Sequence, residues 1–599
     1  MPKHTLALSK TDYKVAQDCP TKLYYRMLKY PSNKDGDEYV ELLAQGGYMI
    51  GAIASLLFAD AILVDEPDHD KAKQLTEEYF KQENITLLEA AFESKGKFAR
   101  PDILIKQGNH LTLIEVKAKS FDSSEENPFH NKKGSIVPAW QPYLEDITFQ
   151  ALILRELFPA SSLTCELMMP DTTRTTSIDN LHSLFALNQI AEDDGGYPRA
   201  RFTFTGDVER LRRDHFLISL NVDREVADLL PEVTSTAETY LKSLNPLSKL
   251  PAPLSFSCKD CEYRVADDEI KNGFRECWGE LANPKPHILD LYFGGTVKEV
   301  KDLIAAGKTS MFDLSESALS KKDGSMGSRA QRQLLQMRNT RSDTEWIDPA
   351  LGSILASFEY PLQFIDFETS GLAVPYHAGM HPFENVAFQW SCHTIERPGA
   401  ELKHTEWINV EEAFPNFAFA ESLMNHLGRD GTVFMWATHE NTILRHIVSQ
   451  MEGRYENQVL KDWLEWMTTS RMVDMNQLTL NYYFHPLMKG RTSIKKVLDA
   501  IWQVNPALRE RFPEYVKEED GKLLSPHKSL PPFKIDGREV FVNEGTGAIT
   551  AYQAMLYGPQ NMDKQIREQW RQLLLQYCNL DTLAMVMIYW HWNEILKRA

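Results

Sequence analysis

Cysteine is scarce in this chain. Seven in 599 residues are too few for a disulfide framework to carry a fold of this size. Long apolar runs are missing as well: the most membrane-like stretch, residues 49–58, is shorter than the ~20 residues a span needs and runs into Asp60. It reads as a buried helix. The opening MPKHTLALSK carries no apolar segment of the kind that directs secretion, so the expectation is a cytoplasmic protein that does not meet the membrane. Positive charge is also short, with 65 Lys and Arg against 84 Asp and Glu and a net charge of −19. No global basic field draws such a chain to nucleic acid, so any contact must come from local grooves or from metal ions bridging acidic side chains to phosphate. A nucleotide motor is excluded, because Ala306-Gly307-Lys308-Thr309 has Asp302 where a phosphate loop needs glycine.

What is present suits a soluble protein of two or more domains. Hydrophobic content of 43% and charged content of 25% are enough to bury real cores over this length. The most informative stretch is 99–119, ARPDILIKQGNHLTLIEVKAK. Two apolar runs around Gln107-Gly108-Asn109 predict a β-hairpin. Asp102 opens its first strand, and Glu115 and Lys117 lie two apart on the second, pointing together while Ile114 and Val116 point into a core. Two carboxylates and a lysine gathered in this way can hold a divalent metal and steer a water, as phosphodiester hydrolysis requires. Around the hairpin, the pattern predicts helices at 39–64 and 71–83, a strand at 87–92 supplying Glu89 and Glu93, and a loop at 121–138. A helix at 140–158, a strand at 163–169 and a polar helical region to about 245 follow.

Next comes SCKDCEYRVADDEIKNGFRECWGE, with Cys258, Cys261 and Cys277 spaced C-x2-C-x15-C. That is one cysteine short of a four-ligand site, and Cys19 can complete it if the two ends of the domain meet. Thiolate ligation suits either zinc or an iron–sulfur cluster. Residues 285–354 hold no concentrated chemistry and read as a helical connector.

A second carboxylate set begins in 360–371, YPLQFIDFETSG, a strand ending in Asp366-Phe367-Glu368. Asp366 and Glu368 share a face while Phe367 packs inward. Glu440 opens a helix after a short strand at 433–436, and Tyr577 and Asp581 lie four apart on one face of a long helix at 565–596. Four carboxylates can bind two divalent ions, one activating water and one stabilising the leaving 3′ oxygen, with Tyr577 orienting the water.

Residues 8–280 resemble a RecB-type member of the PD-(D/E)XK nucleases, close in layout to the iron–sulfur nucleases associated with CRISPR adaptation and with AddB-type helicases. The matching features are LSKTDY…DCP with Cys19, the RPD…IEVK core, Gln150 in the downstream helix and the three late cysteines. The resemblance implies Asp102 and Glu115 as metal ligands, Lys117 and Gln150 as catalytic residues, and a [4Fe–4S] cluster on Cys19, Cys258, Cys261 and Cys277, with zinc as the alternative. Gly51 stands where that family often has histidine, and Glu89 or Glu93 is the expected substitute. Residues 355–599 are similar to the ribonuclease H-like, DnaQ-type 3′–5′ exonucleases that use tyrosine in the last motif. FIDFET supplies the first motif, Glu440 the middle one and Tyr577-x3-Asp581 the third. The combination, with its LYFGG and HPLMKGRTSIKKVL segments, looks like a bacterial family joining the two domains.

The expectation is therefore an α/β protein of three parts: a PD-(D/E)XK, restriction-endonuclease-like domain at 1–284, a connector at 285–354 and an exonuclease domain at 355–599. Its expected activity is DNA hydrolysis dependent on Mg²⁺ or Mn²⁺, 3′–5′ in the C-terminal domain, with a second nuclease or strand-clamping site in the N-terminal one. Single-stranded DNA is the expected partner. The alternatives are an RNA-processing exonuclease and a non-catalytic nucleic-acid-binding scaffold.

Overall fold

Two mixed β-sheets organise the chain, one in each of two units. The structure is a computed structural model that describes residues 6–192, 198–266, 271–321, 323–542, 545–558 and 561–598. Unit 1 comprises Met1–Pro253, Val265–Gly273 and Gly371–Glu384; unit 2 comprises Leu254–Arg264, Phe274–Ser370 and Asn385–Ala599. This division differs from one drawn at 284 and 354, and packing explains why. Phe274, Trp278, Ile288, Leu291 and Met311 share a small core with Met337. From the same helix as Met337, Arg332 reaches the carbonyl oxygens of Thr479 and Tyr483. The expected connector is thus part of unit 2, and so are the three late cysteines. Among the described residues no helix is long and apolar enough to cross a membrane.

Unit 1 begins with helix α1 (Lys10–Asp18), whose Ser9 hydroxyl and Asp12 carboxylate form a reciprocal capping box. Its sheet is built from β1 (Ile62–Leu63), β2 (Asn84–Leu88), β3 (Ile103–Gln107), β4 (His110–Val116), β5 (Ser162–Pro170) and β6 (Leu217–Asn221), side by side in that order. The β3–β4 hairpin pairs Ile103 with Ile114 and Gln107 with His110. Gly108, at φ 56°, supplies the left-handed backbone its two-residue turn requires. Both faces of this sheet are buried. Leu111 and Leu113 pack with helices α2 (Gln141–Leu157) and α3 (Asp223–Leu244), while Ile114 packs opposite them with Met49, Ile50 and Ile53 of the helix Glu38–Leu56.

Two local expectations fail. The strand expected at 87–92 is broken at Glu89, whose φ is 55°, and a separate short strand follows at Phe92–Ser94. The region from 171 to 222 is not helical throughout. Phe185–Glu192 and Pro198–Phe204 form an antiparallel ribbon, and the alternating Leu217–Asn221 pairs along β5. Alternation with a period of two outweighed the polar composition there.

The unit 2 sheet runs β9-β8-β7-β10-β11, from β7 (Leu362–Ser370), β8 (Val386–Ile395), β9 (Lys403–Ile408), β10 (Thr432–Met435) and β11 (Met472–Asp474). β8 and β9 are antiparallel extensions, and β10 and β11 are parallel to β7. Helix α4 (His439–Met451) follows β10, α5 (Ile494–Val504) follows β11, and α6 (Gly545–Tyr557) and the 35-residue α7 (Lys564–Arg598) close the chain. Alternation along β7 assigns its two faces: Leu362 and Phe364 pack with α5 and α7, whereas Ile365 and Phe367 pack with Phe419, Leu444 and Trp463 on the other side.

Candidate active sites

The unit 1 cluster forms where the sheet's α2-facing side turns from apolar to charged. Glu115 continues the face of Leu111 and Leu113, so it is fully buried at 0% exposure rather than lying on a solvated edge. Asp102, just before β3, accepts a hydrogen bond from the Val116 amide at 2.7 Å through Oδ2. Lys117 Nζ lies 2.6 Å from Glu115 Oε1 and 2.5 Å from Asp146 Oδ2. Gln150, one turn beyond Asp146 on α2, donates from Nε2 to Glu115 Oε2 at 2.6 Å. Lys10, the first residue of α1, adds a second ammonium 2.8 Å from Glu115 Oε1.

Charge states follow from this crowding. Burial pushes Asp102 up to about 8, with repulsion from Glu115 adding to it. Burial acts upward on Glu115 too, yet Lys10 and Lys117 outweigh it and hold this carboxyl below the ordinary range. Lys117 stays well above the usual lysine range: burial opposes its charge, but Asp146 and Glu115 overcome it. Lys14, one turn after Lys10, is lowered by burial, with repulsion from Lys117 and Lys10 contributing. The predicted Asp102, Glu115, Lys117 and Gln150 therefore do converge. Glu89 sits beside them, its amide donating to the Asp102 carbonyl at 3.2 Å, whereas Glu93 pairs with Lys73. Sequence reasoning missed Lys10 and gave Asp146 no role. The cap at Ser9 marked where Lys10 starts its helix but not what it would reach.

The unit 2 cluster sits on the face of β7 that packs against α7. Asp366 and Glu368 continue the Leu362 and Phe364 face, and beside them a β-bulge skips Phe388 on β8. Helix α7 brings Tyr577 and Asp581 to the same place, both buried at 4% and 7% exposure. Glu440 enters from the first turn of α4, also buried, and shares a hydrogen bond with Asp366. The turn before α4 holds Ala437 at φ 67°, a backbone conformation costly for a residue with a Cβ. The Asp474 carboxylate accepts from the Ala437 amide at 2.9 Å and fixes that turn.

All five residues predicted for this site come together, with three additions. His527, from the short turn Pro526–Ser529, shares a 2.8 Å hydrogen bond between Nε2 and Asp581 Oδ1. Lys495, at the start of α5, donates to the Tyr577 hydroxyl at 3.2 Å. Cys578 donates from Sγ to Asp366 Oδ2 at 3.4 Å. Burial drives Asp366, Glu368 and Glu440 well above the carboxylate range; Asp581 adds to this at Asp366, and Asp366 adds to it at Glu368 and Glu440. Tyr577 is raised as well, by burial and then by Asp581. Among the described residues, one group of three metal-type donor atoms lies within 4.8 Å: Asp366, Glu368 and Cys578. Glu440 Oε2 and Gln389 Oε1 are buried without partners. Cys578 is the one soft donor of that group and burial keeps its thiol protonated, so the hard oxygens of Asp366, Glu368 and the orphaned Glu440 Oε2 are what fit a divalent ion such as Mg²⁺ or Mn²⁺.

The cysteines divide between the units. Cys19 caps the helix Pro20–Met27 in unit 1. In unit 2, Cys258 lies in the turn Phe256–Asp260, with the Cys261 amide donating to its carbonyl at 3.3 Å, and Cys258 and Cys277 pack against the same small core. None of the seven cysteines forms a disulfide.

A protein-family model described as a domain of unknown function, DUF2779, matches residues 363–493. That span holds Asp366, Glu368, Glu440 and Asp474 and ends before Lys495, Tyr577 and Asp581. No curated protein and no solved structure matches the chain.

Proposed function

We propose that the chain is a metal-dependent nuclease that hydrolyses DNA phosphodiester bonds, shortening strands from the 3′ end at the unit 2 cluster. One observation carries this reading. Asp366, Glu368, Glu440 and Asp581, drawn from three elements far apart in sequence, crowd together beside Lys495, three of them buried and Asp366 half-buried. Such crowding is unfavourable unless a cation relieves it, so it reads as a binding site rather than as structure. A bound divalent ion would supply Lewis acidity at the phosphate and a low-pKa water.

The chain's own residues perform the rest. Asp366, Glu368, Glu440 and Asp581 would hold the ions, and His527 fixes the orientation of the Asp581 carboxylate. Tyr577, buried and held by Lys495, keeps its proton at neutral pH and so can donate it in a hydrogen bond to the attacking water. The antiparallel β9-β8-β7 followed by parallel β10 and β11 supports a ribonuclease H-like reading of unit 2. The hairpin cluster supports a PD-(D/E)XK reading of unit 1, whose site acts as a second nuclease or a strand clamp. For Cys258, Cys261 and Cys277 the iron–sulfur or zinc reading rests on their sequence spacing, since among the described residues no three cysteine sulfurs lie within 4.8 Å of one another.

The test is degradation of end-labelled single-stranded DNA with Mn²⁺, comparing wild type with Asp366→Ala. Stepwise loss from the 3′ end that the variant abolishes supports the reading, and unchanged cleavage removes unit 2 as the catalyst. Cleavage of RNA but not DNA by the wild type would make the protein an RNA exonuclease.

A further inference from the structure

The two clusters differ in how their negative charge is answered. In unit 2, among the described residues, Lys495 is the lysine that acts on the Asp366, Glu368 and Asp581 cluster. In unit 1, three lysines, Lys10, Lys14 and Lys117, face Asp102, Glu115 and Asp146. The neighbouring Glu89 has its own cation in Arg100, at 4.0 Å.

Geometry makes the point sharper. The two oxygens of Glu115 are both engaged: Oε1 by Lys10 at 2.8 Å and Lys117 at 2.6 Å, and Oε2 by Gln150 at 2.6 Å. Asp102 Oδ2 is taken by the Val116 amide at 2.7 Å. Lys10 is not a loose surface lysine. It is the first residue of a helix whose start is pinned by the Ser9–Asp12 box, and Arg26 braces Asp12 at 3.0 Å. An ion seated between Asp102 and Glu115 would have to take oxygens from these donors and lie beside two ammonium groups. In unit 2, Cys578 and His527 engage Asp366 Oδ2 and Asp581 Oδ1, but Glu440 Oε2 is unpartnered; in unit 1 the unpartnered oxygens are Asp146 Oδ1 and Gln150 Oε1, and both oxygens of Glu115 are taken.

We propose that Lys10 is the resident cation of the unit 1 cluster: its ammonium occupies the place on Glu115 that a divalent ion would take, so the cluster stays metal-free at Mn²⁺ concentrations that load unit 2. Metal-assisted chemistry in unit 1 then depends on drawing Lys10 away from Glu115. This rests on the nuclease reading for the loading of unit 2 with Mn²⁺ and goes beyond it at unit 1.

The test is Mn²⁺ binding to the full chain, followed by the loss of the free-ion electron-spin signal. The background is Asp366→Asn/Asp581→Asn, which disables the unit 2 cluster. Adding Glu115→Gln to that background is expected to change nothing. Adding Lys10→Met instead is expected to tighten residual Mn²⁺ binding by at least about tenfold, since an ammonium competing for the same carboxylate is gone. A further Glu115→Gln should then abolish the gain. The proposal is overturned if the unit 2-disabled protein binds Mn²⁺ tightly and Glu115→Gln removes that binding, or if Lys10→Met brings no gain. Should Lys10→Met fail to fold, the Glu115→Gln comparison with Lys10 in place decides by itself. Failure of the nuclease reading would show separately, as wild-type Mn²⁺ binding that survives Asp366→Asn/Asp581→Asn.

Discussion

Replacing Asp366 with asparagine removes one of four carboxylates that share a buried space, and the expected result in metal-free protein is a more stable fold. Its donor oxygen and that of Glu368 lie within 4.8 Å. Two full charges at that separation repel by about 3 kcal/mol at an effective dielectric near 20. Protonation already relieves part of this, because burial and mutual repulsion hold both groups well above the carboxylate range. A gain of about 1–3 kcal/mol remains, or roughly 2–10 °C in the melting midpoint of a domain of this size. The sign against pH follows from linkage. A carboxyl held above its unfolded value contributes stability that is fully present below about pH 4 and lost as pH rises through the folded value. Wild type therefore loses more stability over that rise than Asp366→Asn, which keeps only Glu368 and Glu440 of the raised carboxyls, so the difference between them grows towards neutral pH and beyond. Mn²⁺ should reverse the order by stabilising wild type and hardly affecting the variant. The assay is melting followed by circular dichroism in chelator and in Mn²⁺, between about pH 5 and pH 8. A lower midpoint for the variant in chelator, or a difference that shrinks as pH rises, would refute the account of the site as a charge cluster awaiting a cation.

Other substitutions probe separate links. Tyr577→Phe leaves the ring in place and removes the hydroxyl that Lys495 holds, so hydrolysis should slow by about 10²-fold or more with Mn²⁺ affinity unchanged. An equal loss of both in single-turnover and binding measurements would contradict the water-orienting role. His527→Ala should weaken Mn²⁺ binding by about 10–100-fold, read by titration, because Asp581 loses the partner that orients it. Gln150→Ala leaves Glu115 Oε2 buried and unpaired and should cost about 1–3 kcal/mol in urea unfolding. Cys261→Ser should lower iron or zinc content and solubility together, and a fully soluble variant with unchanged metal content and melting midpoint would count against the cysteine centre.

Legibility tracked the range of the interaction. The β3–β4 hairpin was readable because its signal is local: a Gly-Asn turn between two apolar runs. The pairing of Asp366 with Glu368 on one face followed from strand alternation, and that of Tyr577 with Asp581 from helical spacing. The partners from other elements were not readable. Lys10 meets Glu115 from 105 residues away, and His527 meets Asp581 from 54 residues away in a turn with no periodic pattern. The ribbon at Phe185–Glu192 and Pro198–Phe204 was missed because polar composition hid an alternation that only strand pairing makes decisive.

By itself the sequence determined which neighbours share a face, since that depends on covalent spacing and backbone period. Only tertiary structure decided the charge each site is left with. Glu115 and Asp366 are both carboxylates on buried strands, with Lys117 beside one and Glu368 beside the other in sequence, but the groups that set their charge come largely from distant elements. One is held below its ordinary range by Lys10 from a helix start and Lys117 from just past its own strand; the other is driven well above by burial and then by Asp581 arriving from α7. Electrostatic energy depends on distance through space and on exclusion of water, and the fold sets both.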